Sequence, residues 1–431
     1  MTVTGGPRSV TLPGMAPSEP KAVLDARRFG RTPVVFIAGL GVCSLIALVA
    51  LLAVVRGGRV PALAGLALAL LPVLVVLAGI LALDRFDPEP RALLAAMFGA
   101  GAGVAALIAL AGYELHSGAI TTPELDPHAG RVAGVTLTAA IGGALVAESA
   151  KGAVLLALFW FRRAEFNGVH DGVVYASVTG LGFALIANLY AYIEAERHGL
   201  VALASAFVLR GVLGPLWDPL FTSMIGIGVA YAAMRKGPRG YWAIGVGWVA
   251  AVALAALWND AVAAGPGRLA VVYLILVAAL AVVAALLVAD RRRIMGLITG
   301  LLPGFVSSGA LAEPDVAMLG SGHLRRLARQ WARLHHSATG RRAMADYQLA
   351  ATELALACER QRRDLMPPAA FARRREDMLG LMRAAVTVFR ERRPPMPNPP
   401  WAPFGGSIFV PSASEHSGGH DDSTGQHRSA S

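Results

Sequence analysis

Long apolar runs, rather than alternating or heptad patterns, dominate the first two thirds of the chain. Eight stretches, near 33–55, 61–83, 91–112, 132–160, 172–193, 211–234, 241–262 and 267–289, hold few or no charges. Each is roughly 20 residues long, and at ~1.5 Å rise per residue that length spans a ~30 Å hydrocarbon layer. The pattern predicts an all-α fold: a polytopic membrane helix bundle of about eight transmembrane helices. A Pro- and Gly-containing leader precedes the first run and no small-residue cleavage pattern closes it, which argues against a secretory signal peptide.

Polar periodicity takes over after the eighth run. Arg291, Arg292 and Arg293 mark a membrane boundary, and Ile294 to Val306 is an apolar patch, broken by Gly and Pro, that could lie against the membrane surface. Three stretches with helical spacing follow: "SGHLRRLARQWARLHH", "RRAMADYQLAATELALACERQRRDL" and "PAAFARRREDMLGLMRAAVTVFRERR". Pro367 and Pro368 separate the last two, and "PPMPNPPWAP" closes the series. The expected organisation is a flexible leader over 1–32, a transmembrane bundle over 33–289, a juxtamembrane linker over 290–319, a small cytosolic helical domain over 320–392 and a disordered tail over 393–431.

Composition agrees with this pattern: 55% of the residues are hydrophobic and the mean hydropathy is +0.55, too apolar for a soluble chain of 431 residues. The formal charge of +11 is a topology signal. Lys and Arg crowd the leader, alternate inter-span loops such as Arg162–Arg163 and Arg235–Lys236, and the carboxyl-terminal region. The opposite loops hold only Arg56, Arg59, Arg131, Arg197 and Arg268. Both termini are therefore expected to be cytoplasmic, with membrane lipids rather than nucleic acid as the partner of the positive charge. The preference for Arg over Lys, with abundant Ala and Gly, suggests a bacterial cell membrane as the location. Two cysteines, Cys43 and Cys358, fall in different predicted compartments, so no disulfide framework or cysteine metal site is expected.

Against this apolar background the stretch "ALVAESAKGAVL" stands out. Glu148 and Lys151 are three positions apart, on one helix face, where they can pair. Further polar residues recur in later runs: Asp171 and Asn188 in the fifth, Arg210, Asp218 and Thr222 around the sixth, and Asn259 at the end of the seventh. An ionisable group within a span costs a few kcal/mol or more, so these groups should face the bundle interior or a wet cavity. Counting rise along antiparallel helices places most of them in the outer half of the bundle. Asp171 and the Asp218–Pro219 pair also fit plain helix starts, and Asn188 and Thr222 fit interhelical hydrogen bonding.

In these residues the chain resembles the PrsW family of intramembrane proteases, which is related to the CAAX-type glutamic proteases. The resemblance covers about 80–262 and rests on four ordered motifs. They are Ala147-Glu148-Ser149-Ala150-Lys151; Asp171-Gly172 through Tyr175, with Gly180 to Phe183 and Ala187-Asn188; Arg210 with Asp218-Pro219 and Thr222; and Ala255 with Trp258-Asn259. The family pattern has Glu at positions 147 and 187 and His at 218 and 255, where this chain has Ala, Ala, Asp and Ala. The resemblance implies a general-base carboxylate acting on water, with a His or a metal-bound group stabilising the oxyanion.

Two functions follow. In one, the chain is a catalytically impaired family member that binds transmembrane or membrane-anchored protein segments as a regulator or scaffold. In the other, it is an active intramembrane peptidase in which Glu148 activates water and Asp218 supplies a second carboxylate. No cofactor is expected for the first; the second admits a divalent metal, although two acids without His make a weak zinc site.

Overall fold

The computed structural model describes residues 61–84, 88–115, 137–309, 311–390, 397–403 and 406–409. The predicted span at 33–55, the leader and the tail beyond 409 lie outside the described residues. Among the described residues every regular element is helical, and seven helices are long and apolar enough to cross a membrane. A polytopic helical bundle is thus the observed architecture. By its contacts the chain divides into two units.

The membrane unit, within Arg31–Leu297 and joined by Leu356–Phe371, contains α1 (Pro61–Leu83), α2 (Arg91–Ala100), a π-helical turn (Gly101–Ala105) and α3 (Ala106–Leu115). It continues with α4 (Leu137–Arg162), α5 (Val169–Arg197), α6 (Leu200–Phe207), a second π-helical turn (Val208–Leu213), α7 (Trp217–Ala233), α8 (Pro238–Ala264) and most of α9 (Pro266–Leu301). Helix α5 is central: it packs on α1, α2, α4, α6 and α7, and nearly all of its apolar length is buried. Its glycines set the spacing. A Cβ on Gly172 would lie 2.2 Å from the Gly226 carbonyl of α7, and one on Gly182 would lie 2.1 Å from the Phe98 carbonyl of α2. Backbones this close exclude any side chain at the crossing, the small-residue packing that replaces hydrophobic drive between helices in lipid.

Two boundaries differ from the sequence expectation. The sixth run begins at Leu200 rather than 211 and is not one helix: it passes through the π-helical turn, breaks at Gly214–Leu216 and restarts at Trp217. Pro215 accounts for the break, because it lacks an amide hydrogen and clashes with a preceding helical turn. The eighth run does not stop at Arg291–Arg293 but continues to Leu301, followed by a 3-10 segment. Arginine is a good helix former, so a triplet of them marks a polarity boundary without ending a helix.

The second unit comprises Ile298–Ala355 and the chain from Ala372 onward. It includes α10 (Glu313–Leu319), most of α11 (Gly322–Arg362, kinked at His336–Ser337) and α12 (Pro368–Arg390). Within it Arg325 donates to the Gln348 carbonyl and the Thr352 hydroxyl, both at 2.6 Å. Residues 397–403 and 406–409, expected to belong to a disordered tail, instead pack here. The carboxylate of Asp315, which is fully buried, accepts from Trp401 Nε1 (2.8 Å), Ser407 Oγ (2.8 Å) and the Ile408 amide (3.0 Å). Phe409 closes the contact against Tyr347 and Phe389, with ring centroids 4.9 Å and 5.2 Å away. Burial pushes the Asp315 carboxyl above its ordinary value, while these hydrogen bonds pull it back.

Candidate functional site

The middle of α4 carries Glu148 and Lys151 one turn apart, both essentially without solvent exposure. The Lys151 ammonium lies 2.6 Å from Glu148 Oε1 and 2.7 Å from Asp218 Oδ1, which comes from the first turn of α7. One ammonium therefore bridges two carboxylates from different helices. The Phe183 ring of α5 lies 4.3 Å from the Lys151 nitrogen, adding a cation–π contact. Asp218 is the outward member of the cluster, with 18% of its side chain exposed. Its position before Pro219 suits a helix cap, but it makes no capping bond; its carboxylate is turned to Lys151 instead.

The other candidate residues divide by position. Thr222 is buried and donates to the Asp218 carbonyl at 2.9 Å, a bond inside its own helix. A Cβ on Gly180 would meet that same carbonyl at 2.6 Å, so α5 crosses α7 directly at the cluster. Asn259 of α8 is 1% exposed, and its Nδ2 has no hydrogen-bond partner among the described residues; the same holds for Nε1 of Trp217. Trp217 packs against Trp258 and Tyr273, with centroids 6.0 Å and 5.1 Å away. Asn188 is buried in α5, and Arg210 is half-buried on the second π-helical turn. Asp171 stands apart at the other end of α5, where it accepts from the Asn167 and Gly168 amides at 2.6 Å and 3.1 Å and caps the helix.

Some polar contacts escaped the sequence reading. Tyr175, fully buried in α5, donates to Glu89, and Glu89 in turn donates its amide to Asp84 Oδ1 at 3.1 Å. Asp290 accepts from the His170 amide at 3.1 Å and pairs with Arg293 at 2.9 Å. Both acids sit at run boundaries, where a carboxylate reads as solvated unless its partner, about 86 to 120 positions away, is known.

A bundle of spanning helices around an enclosed carboxylate–ammonium–carboxylate cluster defines a polytopic intramembrane protein with a buried polar centre. Residues 89–287 match the family model described as "PrsW family intramembrane metalloprotease". Over these residues the chain is similar to the PrsW family, in agreement with the motif resemblance. No curated protein and no solved structure matches the chain.

The family description implies a metal ion, and the donor set here does not fit one. The positions that the family motifs fill with Glu, Glu and His are Ala147, Ala187 and Ala255, buried at 4%, 5% and 2% exposure. Among the described residues no three His, Cys, Asp or Glu side chains converge. The two acids that do converge already share a cation, Lys151. A catalytic zinc ion normally draws on three protein ligands with His or Cys among them.

Proposed function

We propose that this chain is a PrsW-family membrane protein with impaired hydrolysis, which engages transmembrane or membrane-proximal segments of protein clients as a regulator or scaffold. The observation that carries this reading is the double salt bridge on Lys151. A general base must accept a proton from water. Glu148 is instead 1% exposed and held against an ammonium at 2.6 Å, and Asp218 is bound by the same group. The alanines at 147, 187 and 255 remove the remaining groups that the family pattern supplies. The proposal places the protein in a bacterial cell membrane with both termini, and the helical region over 320–392, in the cytoplasm, where that region recruits a partner.

A second reading, an active peptidase using Glu148 and Asp218, is favoured by one feature. Asp218 is partly exposed, and the unbonded Trp217 Nε1 and Asn259 Nδ2 belong to the same end of the bundle, where donors could face a developing oxyanion. Cleavage of a panel of single-span substrates in proteoliposomes separates the two. Substitutions Ala147→Glu, Ala187→Glu, Asp218→His and Ala255→His, introduced together, restore the family pattern. Cleavage by this variant alone is the expected result. Cleavage by the natural protein that Glu148→Gln abolishes would instead establish the rearranged centre.

A further inference from the structure

We infer that the Lys151 ammonium is the resident cation of this centre, holding together two carboxylates that do not bind a metal ion. The inference rests on the reading above that the donor set is no longer a metal site. It goes further in naming the cation that the two carboxylates share. Two carboxylates brought together in a low-dielectric interior repel each other unless a cation lies between them. Here they arrive from separate helices, α4 and α7, and the cation lies 2.6 Å from one and 2.7 Å from the other. It is fully buried, on the same helix as Glu148, and backed by the Phe183 ring at 4.3 Å. The Lys151–Asp218 pair depends on an acid at 218. With His there, as in the family pattern, the second carboxylate is absent and the position can ligate a metal. Asp218 thus places an ion-pair partner where the family pattern has a potential metal ligand, and the Lys151 ammonium, carried on α4, ties α7 to it through a salt bridge.

The site accordingly has a ligand specificity that can be uncovered. Lys151→Ala removes the fragment equivalent to n-propylammonium and leaves two facing carboxylates, a site for a primary ammonium ion or for a hard oxygen-seeking cation such as Mg2+ or Ca2+. The test is thermal unfolding of the full chain in detergent, together with elemental analysis of the purified natural protein. The natural protein is expected to carry no stoichiometric zinc and to show the same Tm with zinc, with a chelator and without either. Lys151→Ala is expected to lose roughly 5 °C or more. n-Propylammonium or Mg2+ should restore much of that loss, while tetramethylammonium, which has no N–H to donate, should not.

Stoichiometric zinc in the natural protein, or a Tm that zinc raises and a chelator lowers, overturns the inference. So does a Lys151→Ala protein that neither n-propylammonium nor Mg2+ restores. If Lys151→Ala cannot be recovered, a triple variant with Lys151→Met, Glu148→Gln and Asp218→Asn removes every charge from the cluster. Its recovery with a near-natural Tm supports a cation that serves only to offset the repulsion of the two carboxylates, and its failure to fold overturns that account. Failure of the wider reading is separable: a natural protein that cleaves substrate yet remains indifferent to zinc and chelator refutes impaired hydrolysis and leaves the resident ammonium standing.

Discussion

Lys151 is the residue on which the buried polar chemistry turns. Its pairing with Glu148 was legible in the sequence, because two opposite charges three positions apart in an apolar run have few other ways to be accommodated. Its pairing with Asp218 was not, since 67 positions separate the two and Asp before Pro at a helix start has a simpler local explanation. The local motif lost to a tertiary one: an ammonium in the interior has more to gain from a second carboxylate than a helix end has from one cap. Glu148→Gln is expected to destabilise the protein by on the order of 3 kcal/mol, because it removes one partner from a buried ion cluster. Thermal unfolding in detergent reads this directly, and an unchanged Tm would show that the pair carries no structural load.

Helix α5 organises the bundle through what its surface lacks. Close approach at Gly172, Gly180 and Gly182 lets α2 and α7 settle backbone to backbone, and this approach puts Asp218 within reach of α4. That role of Gly180 and Gly182 could be read from small residues in an apolar run, and the approximate position of each span within the described residues from run length and hydropathy, although the sixth began earlier and the eighth ended later than expected. The interior details could not. Neither the π-helical turn at Val208–Leu213 nor the extension of α9 past its three arginines leaves a hydropathy signature. Gly226→Leu at the α5–α7 crossing is expected to force the helices apart, since even a Cβ there would lie 2.2 Å from the Gly172 carbonyl. The expected outcome is loss of the folded species in size-exclusion chromatography, whereas Gly245→Leu, which meets nothing within 4 Å, should leave the profile intact.

The chain builds two units by different physics. In the membrane unit, lipid removes the hydrophobic force between helices, so close packing and charge pairing specify the arrangement. The second unit has an ordinary core of aromatic and aliphatic residues, which takes in Trp401 and Phe409 from beyond the last helix. Proline density in "PPMPNPPWAP" correctly signals the absence of helix there, but absence of helix is not absence of packing; the information lay in Asp315, whose buried carboxylate needs distant donors. Asp315→Ala should raise hydrogen exchange of residues 397–409 at least about tenfold, because three hydrogen bonds holding that segment vanish together. Mass-spectrometric exchange on the full chain provides the check, and unchanged protection would mean that the aromatic contacts alone hold the segment.

One ammonium shared by two carboxylates also bears on how such a protein can change over generations. Single substitutions act unequally on it: exchanging Asp218 for His leaves Lys151 and Glu148 as a one-to-one pair, whereas exchanging Lys151 strands two acids in the interior. The acid at 218 is therefore freer to change than the lysine, so substitutions at the cluster are expected to accumulate at position 218 before position 151. In that sense the lysine is the keystone of the cluster and the aspartate its replaceable facing stone.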